Sequence, residues 1–182
     1  MTTSAELRRL MPELCRHEGV WEGTYVYVTP TLQTVDRHFS RLICRVRDLD
    51  GIFPYDQTNI CLWDDGRSLR MEYPARFRDG RIWFDDAIIS GSFSQVPADD
   101  TALTLFGCWR WNDLSMIPFP VTAMVMYEMI QSSADGQHRN RTWHWIDAGQ
   151  VVLRTLISER KVTADWRSWE ASHDALGRVI ST

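Results

Sequence analysis

The side chains of this sequence best suited to moving protons are Tyr25, Tyr73 and His144, with Arg41 as a candidate cation beside them. A tyrosine or histidine can polarise a carbonyl while an arginine holds the oxyanion that develops. Such a set suits cofactor-free isomerisation, cyclisation, dehydration or retro-aldol cleavage of an aromatic or terpenoid substrate. No nucleophile elbow, P-loop or dinucleotide fingerprint accompanies it, so no cofactor is expected. None of the five histidines stands at metal-ligand spacing from another His or Cys, and no metal is expected.

The candidates for binding are mostly aromatic. Trp109/Trp111 and Trp143/Trp145 form two Trp-x-Trp pairs among nine tryptophans. In a strand, residues i and i+2 share a face, so each pair sets two large rings on one wall. Two such walls either line a pocket for a flat apolar ligand or fill a β core. Gln57, Asn59 and Trp63 share a third parity that mixes polar and aromatic groups, facing either a ligand or solvent. Tyr127 is a further wall candidate. Arg141 shares the parity of Trp143 and Trp145, where a guanidinium can lie on the indole faces. If it points inward it needs a carboxylate from the protein or an anion from a ligand. Arg37, Arg41 and Arg45 pose the same alternative, alternating with Phe39 and Ile43, against simple surface exposure. Asp36 and His38 occupy the opposite parity of that strand.

These residues need strands to position them. The chain opens with a helical stripe, Leu7, Leu10, Met11, Leu14 and Cys15, with a capping box at Thr3 and Glu6 and a break at Pro12. From Val20 to Lys161 it reads as β: strands at 20–28, 35–47, 55–63, 68–77, 81–85, 87–94, 101–111, 121–131, 138–146 and 150–161. Asp50-Gly51, Asp65-Gly66, Asp79-Gly80, Asp135-Gly136 and Asp147-Ala148-Gly149 punctuate them as hairpin turns. A meander this long curls and closes, which also removes its edges. With no crossover helices, the expected fold is mainly β: a single antiparallel up-and-down barrel of about 8–10 strands with a short N-terminal helix. One domain spans 1–182, with the helix in 1–18, the barrel in 19–162 and a tail in 163–182. The tail carries Trp166, Trp169 and His173 and reads as a short helix covering one end or packing on a neighbour.

Composition narrows the function. A net charge of −4, from 20 Lys+Arg against 24 Asp+Glu, gives no pull toward nucleic acid or an anionic membrane. Nothing resembles a leader or a membrane span, and four scattered cysteines read as reduced thiols of a cytoplasmic protein. Lys161 is the only lysine; the other cations are arginines, suited to planar and stacked contacts. The irregular stretch 112–120, rich in apolar residues, serves either as a lid or as a contact between two copies in a homodimer.

Gly19-x-Trp21, directly after a short helix and ahead of the meander, resembles the lipocalin and wider calycin signature. The segments His17 to Tyr25, Tyr55 to Asn59, Arg141 to Trp145 and Arg154 to Glu159 are similar to those of an uncharacterised bacterial calycin-like family. The resemblance spans residues 10–161. It implies a barrel with an internal cavity, in which Trp21 plugs the closed end beneath the helix and a late-strand arginine, Arg154 or Arg160, packs across it. Calycins bind retinoids, fatty acids, pigments and other hydrophobic molecules, and a few are isomerases, cyclases or synthases. The expectation is a small hydrophobic or aromatic partner held in the barrel, converted or merely carried. A structural protein whose tryptophans are all core is the remaining alternative.

Overall fold

The computed structural model describes residues 4–47, 53–95, 104–116 and 123–180. Ten antiparallel strands follow one another around a closed barrel. They are β1 (Gly19–Val28), β2 (Thr34–Val46), β3 (Tyr55–Leu62), β4 (Ser68–Arg78), β5 (Arg81–Asp85), β6 (Ile89–Gln95), β7 (Thr104–Trp111), β8 (Val125–Ser132), β9 (His138–Asp147) and β10 (Gln150–Thr163). Each pairs with its neighbour in sequence, and β1 closes the ring by pairing with β10.

The expected turns explain the register. Asp79 and Gly80 both take positive φ, at 54° and 72°, between the paired Arg78 and Arg81. That is a two-residue turn whose twist matches the strands it joins. Ala148 and Gly149 do the same between Asp147 and Gln150. Thr3 of the capping box, the Asp50-Gly51 turn and residues 117–120 of the candidate lid lie outside the described residues.

Two short helices, α1 (Ser4–Leu10) and α2 (Pro12–Arg16), close one end. The break falls at Pro12, which starts the second helix where its missing N–H costs nothing. Leu7, Met11 and Leu14 are fully buried against Trp21, Cys44 and the lower barrel core. Trp21 donates its indole N–H to the His17 carbonyl oxygen at 2.8 Å, tying plug to barrel. The cations lying over its ring are Arg139 and Lys161, 4.2 and 4.8 Å from the centroid, rather than Arg154 or Arg160. The correction follows from the pleat. Arg139 shares the inward parity of β9, whereas Arg154 and Arg160 share the outward parity of β10.

A third helix, α3 (Trp166–Ser172), lies against the outside of β1 and β2. Asp165 caps it by accepting the Ser168 N–H. Trp166 and Trp169 bury a second, smaller core of Val20, Ile43 and Ile60, outward residues of β1, β2 and β3. The helix therefore covers the wall of the barrel, not its end. Among the described residues no helix is long and apolar enough to cross a membrane.

Candidate functional site

Above the helical plug, the inward parity of the strands carries charge. Glu128 on β8, Arg139 and Arg141 on β9 and Glu159 on β10 are all nearly fully buried. Arg141 donates from Nε to Glu128 at 2.6 Å and from Nη1 to the Tyr25 hydroxyl at 2.8 Å. Tyr25 in turn donates to Glu159 at 3.0 Å, and Arg139 pairs with Glu159. The two carboxylates and two guanidinium groups balance one another inside the protein. Glu128 also accepts the indole N–H groups of Trp109 at 3.0 Å and Trp143 at 2.7 Å.

Burial alone would raise the Glu159 pKa; the Arg139 and Arg141 charges overcome it and hold the carboxyl below its ordinary range. Burial disfavours the Arg141 cation in the same way, and Glu128 and Glu159 more than restore it. The Tyr25 phenol is pushed well above its ordinary value, by burial first, so it is a hydrogen-bonding group and not an accessible base.

This layer is the floor of a cavity of about 250 Å³ that fills the barrel toward the end opposite the helices. Its walls are rings. Trp111 stacks on Trp145 at 5.7 Å and 20°, Trp145 meets Tyr27 at 6.2 Å, and Tyr27 meets His38 at 5.6 Å. His38 lies 4.9 Å from Tyr25, nearly parallel, and 4.7 Å from Trp63. Leu69, Met71, Tyr73, Phe84, Ile89, Phe93 and Met126 complete most of the apolar lining. At the rim, Asp36 accepts the Trp63 indole N–H and Arg67 lies over the Trp63 ring while pairing with Asp65.

Most polar groups in the cavity have protein partners. Gln57 donates to Asn59 at 2.7 Å, and the Trp145 indole donates to Thr155 at 2.8 Å. Among the described residues, the Tyr27 hydroxyl, His38 and Trp111 do not. Neither ring nitrogen of His38, a residue 3% exposed, has a hydrogen-bond partner, and the buried Trp111 Nε1 has none. Burial pushes the His38 pKa down to about 4, against a smaller opposing pull from Asp36, so its imidazole is neutral at physiological pH. A buried polar group without a partner costs about 1–3 kcal/mol; the His38 and Trp111 nitrogens are occluded within the wall rather than open to the cavity.

Of the candidates read from the sequence, the cavity brings together Tyr25, Tyr73, Gln57, Asn59, Trp63, Trp109, Trp111, Arg141 and Trp143. It excludes three, each by strand parity. Arg41 points outward from β2, where it pairs with Glu22 and lies over Trp169 of α3. Tyr127 is 49% exposed on the outer face of β8. His144, its cross-strand neighbour, faces outward on β9. The arginine face of β2 is thus an outer face, exposed at Arg37 but covered farther along: Arg45 is buried between Asp56, Thr58 and Glu170 of α3. Sequence reasoning missed Asp36 and His38 as wall residues and Glu159 as Arg141's neighbour. The signal was present for the first two, since an outward arginine parity turns Asp36 and His38 inward. Among the described residues no three His, Cys, Asp or Glu side chains gather as a metal site requires.

No protein-family profile matches the sequence, and no curated protein is significantly similar to it. Solved structures share its architecture. A protein of unknown function from the DUF3598 family of Nostoc punctiforme is 16% identical, with a TM-score of 0.58 over 82% of this chain. This chain spans 49% of that protein, about half its length. The S-type phycobiliprotein lyase of Guillardia theta is 14% identical, with a TM-score of 0.58 over 89% of this chain and 94% of its own. At these identities the likeness is one of fold alone.

Proposed function

We propose that the protein binds a small, largely apolar, aromatic molecule inside the barrel. The observation that carries this reading is the ring-walled cavity of about 250 Å³ above a sealed floor of paired charges. A barrel that used its tryptophans only as core would fill that space, since protein interiors pack to the density of organic crystals. Here Trp111, Trp143 and Trp145 border open volume instead. The apolar walls supply burial and polar lining residues such as Tyr27 and Tyr73 supply orientation, the usual division of labour in small-molecule pockets.

The test is intrinsic tryptophan fluorescence titrated with a panel of polycyclic aromatics, fatty acids and a linear tetrapyrrole. Five tryptophans line the cavity, so a ligand there must quench or shift the emission. Absence of any change across the panel would reject the pocket.

A second reading makes the protein an enzyme that converts its ligand without a cofactor, as an isomerase, cyclase or lyase. Its support is Tyr73, which lines the cavity and whose hydroxyl has only the Met71 sulfur as acceptor at 2.9 Å, together with the neutral His38. The fold likeness to a phycobiliprotein lyase over nearly all of that protein's length motivates including a tetrapyrrole in the panel. Mass spectrometry of ligand recovered after incubation separates the two readings. A carrier returns it unchanged, whereas an enzyme returns a product whose formation Tyr73→Phe or His38→Phe abolishes.

A further inference from the structure

We infer that the ligand of this cavity carries an oxygen acceptor, carbonyl or carboxylate, and enters with that end first, because Arg141 Nη2 and Asn59 Nδ2 are open donors deep in the barrel. The inference rests on the pocket reading above and adds which end of the ligand docks and what that end must be.

Arg141 and Asn59 both line the cavity and are only 4% and 7% exposed. Arg141 donates from Nε to Glu128, and from Nη1 to Tyr25 and, at 3.4 Å, to Glu159. Its Nη2 has no partner, yet that atom is not occluded. The side chain is buried inside a closed barrel, so the open N–H faces the cavity. A chain of hydrogen bonds fixes the Asn59 amide. Tyr55 donates its hydroxyl to Gln57 Oε1 at 3.3 Å, which leaves Gln57 Nε2 to donate to Asn59 Oδ1 at 2.7 Å. Asn59 Nδ2 ends that chain, with no protein acceptor and without being occluded. Cys61 is the next inward residue of β3 after Asn59. Burial lifts its thiol to about 11, and the Arg141 charge opposes that rise, so the guanidinium's field reaches this stretch of β3.

The acceptors nearby already hold protein donors. Glu128 takes Arg141, Trp109 and Trp143. Glu159 takes Tyr25, Arg139 and Arg141. An amine or other donor-only head would have to displace one of these donors, leaving a buried polar group unpaired. An oxygen lone pair displaces nothing and gains a charge-assisted hydrogen bond from Arg141. A carbonyl and a carboxylate share this chemistry; they differ in whether a charge is added to a floor whose own two carboxylates and two guanidinium groups cancel. The stacked rings of Trp111, Trp145 and Tyr27 line the same cavity. The flat body of the ligand lies among them, with its oxygen on the floor.

Equilibrium dialysis of the intact protein at pH 7.5 against four matched probes tests this: naphthalene, 2-acetylnaphthalene, naphthalene-2-carboxylate and 2-(aminomethyl)naphthalene. At least one oxygen-bearing probe should bind about tenfold tighter than naphthalene, and the amine no tighter than naphthalene. Preference for the ketone identifies a neutral head, and preference for the carboxylate an ionised one. Asn59→Leu should cut the advantage of the oxygen at least about threefold. Arg141→Leu alone would orphan Glu128, so the double variant Glu128→Leu/Arg141→Leu is the second measure; it should bind the oxygen-bearing probes no tighter than naphthalene. If naphthalene binds but neither oxygen-bearing probe binds tighter, or the amine matches them, the inference is overturned and the pocket stands. An oxygen advantage that is undiminished in both variants overturns it too. If no probe binds, the pocket reading fails and takes the inference with it.

Discussion

Glu128 accepts from one guanidinium and two indoles, and that arrangement fixes what Arg141 is for. An inward arginine on β9 was foreseeable from its parity with Trp143 and Trp145; its partner was not, because Glu128 comes from another strand and only the register of β8 against β9 brings them together. Removing that carboxylate leaves Arg141 buried with its main counter-charge gone. Glu128→Leu should destabilise the protein by about 3–5 kcal/mol in urea unfolding. The double variant Glu128→Leu/Arg141→Leu should recover part of this, since an apolar pair avoids the orphaned charge. A double variant as unstable as the sum of the singles would mean the pair is not coupled. His38 makes a second prediction at this scale. Its pKa falls from an ordinary value of 6.5 to about 4 on folding, chiefly through burial, with Asp36 opposing. The unfolded chain therefore binds more protons between those values, and stability must fall as pH drops through that window. The loss attributable to His38 should be on the order of 3 kcal/mol over the whole window. Comparing wild type with His38→Phe between pH 7 and pH 4.5 isolates it, because buried His17, which is also depressed, contributes equally to both. Equal slopes for the two proteins would contradict the assignment.

At the scale of elements, strands were legible and their coverings were not. Alternation and Asp-Gly turns locate the strands because both are local properties of the chain. Which parity faces inward is settled by what lies across the barrel, so Arg41, Tyr127 and His144 could be assigned to the wrong side. The arginines of β2 illustrate the reason. Their face is outer, yet α3 covers it, with Arg45 lying 5.7 Å over Trp166 and Arg41 5.6 Å over Trp169. A short helix some 120 residues away in sequence and the segment that follows it supply the partners, through Glu170 of the helix and the Gly177 carbonyl beyond it. This strap is separate from the cavity, which lies on the other side of the wall. Trp169→Ala should therefore cost about 3 kcal/mol of stability while leaving the affinity of any cavity ligand within twofold. A selective loss of ligand affinity, with stability intact, would show instead that α3 communicates with the interior.

The whole molecule depends on one seam. Nine of the ten strand pairings join neighbours in sequence; β1 with β10 is the exception, and it alone turns a curled meander into a barrel. Gly23 stands in that seam opposite Glu159. A Cβ there would run into the Ser158 carbonyl oxygen and the Glu159 side chain. This glycine is needed for close approach rather than for an unusual φ. Any larger residue must either part β1 from β10 or push Glu159 off Arg139 and Arg141, so closure and the charged floor are mechanically linked. Gly23→Val should destabilise the protein by about 3 kcal/mol or more. Because the charged floor and the seam share Glu159, and Arg141 of that floor lines the cavity, they should fail together. The near-ultraviolet circular dichroism of the buried tryptophans and the far-ultraviolet signal of the strands should then shift to lower urea in one coincident transition. The closing contacts also span most of the chain, which predicts refolding on a timescale of milliseconds to seconds, slower still in the variant. A variant that loses the tryptophan signal well before the strand signal would show that the ring-walled cavity can open while the barrel stays closed. The seam would then not be what holds the site together.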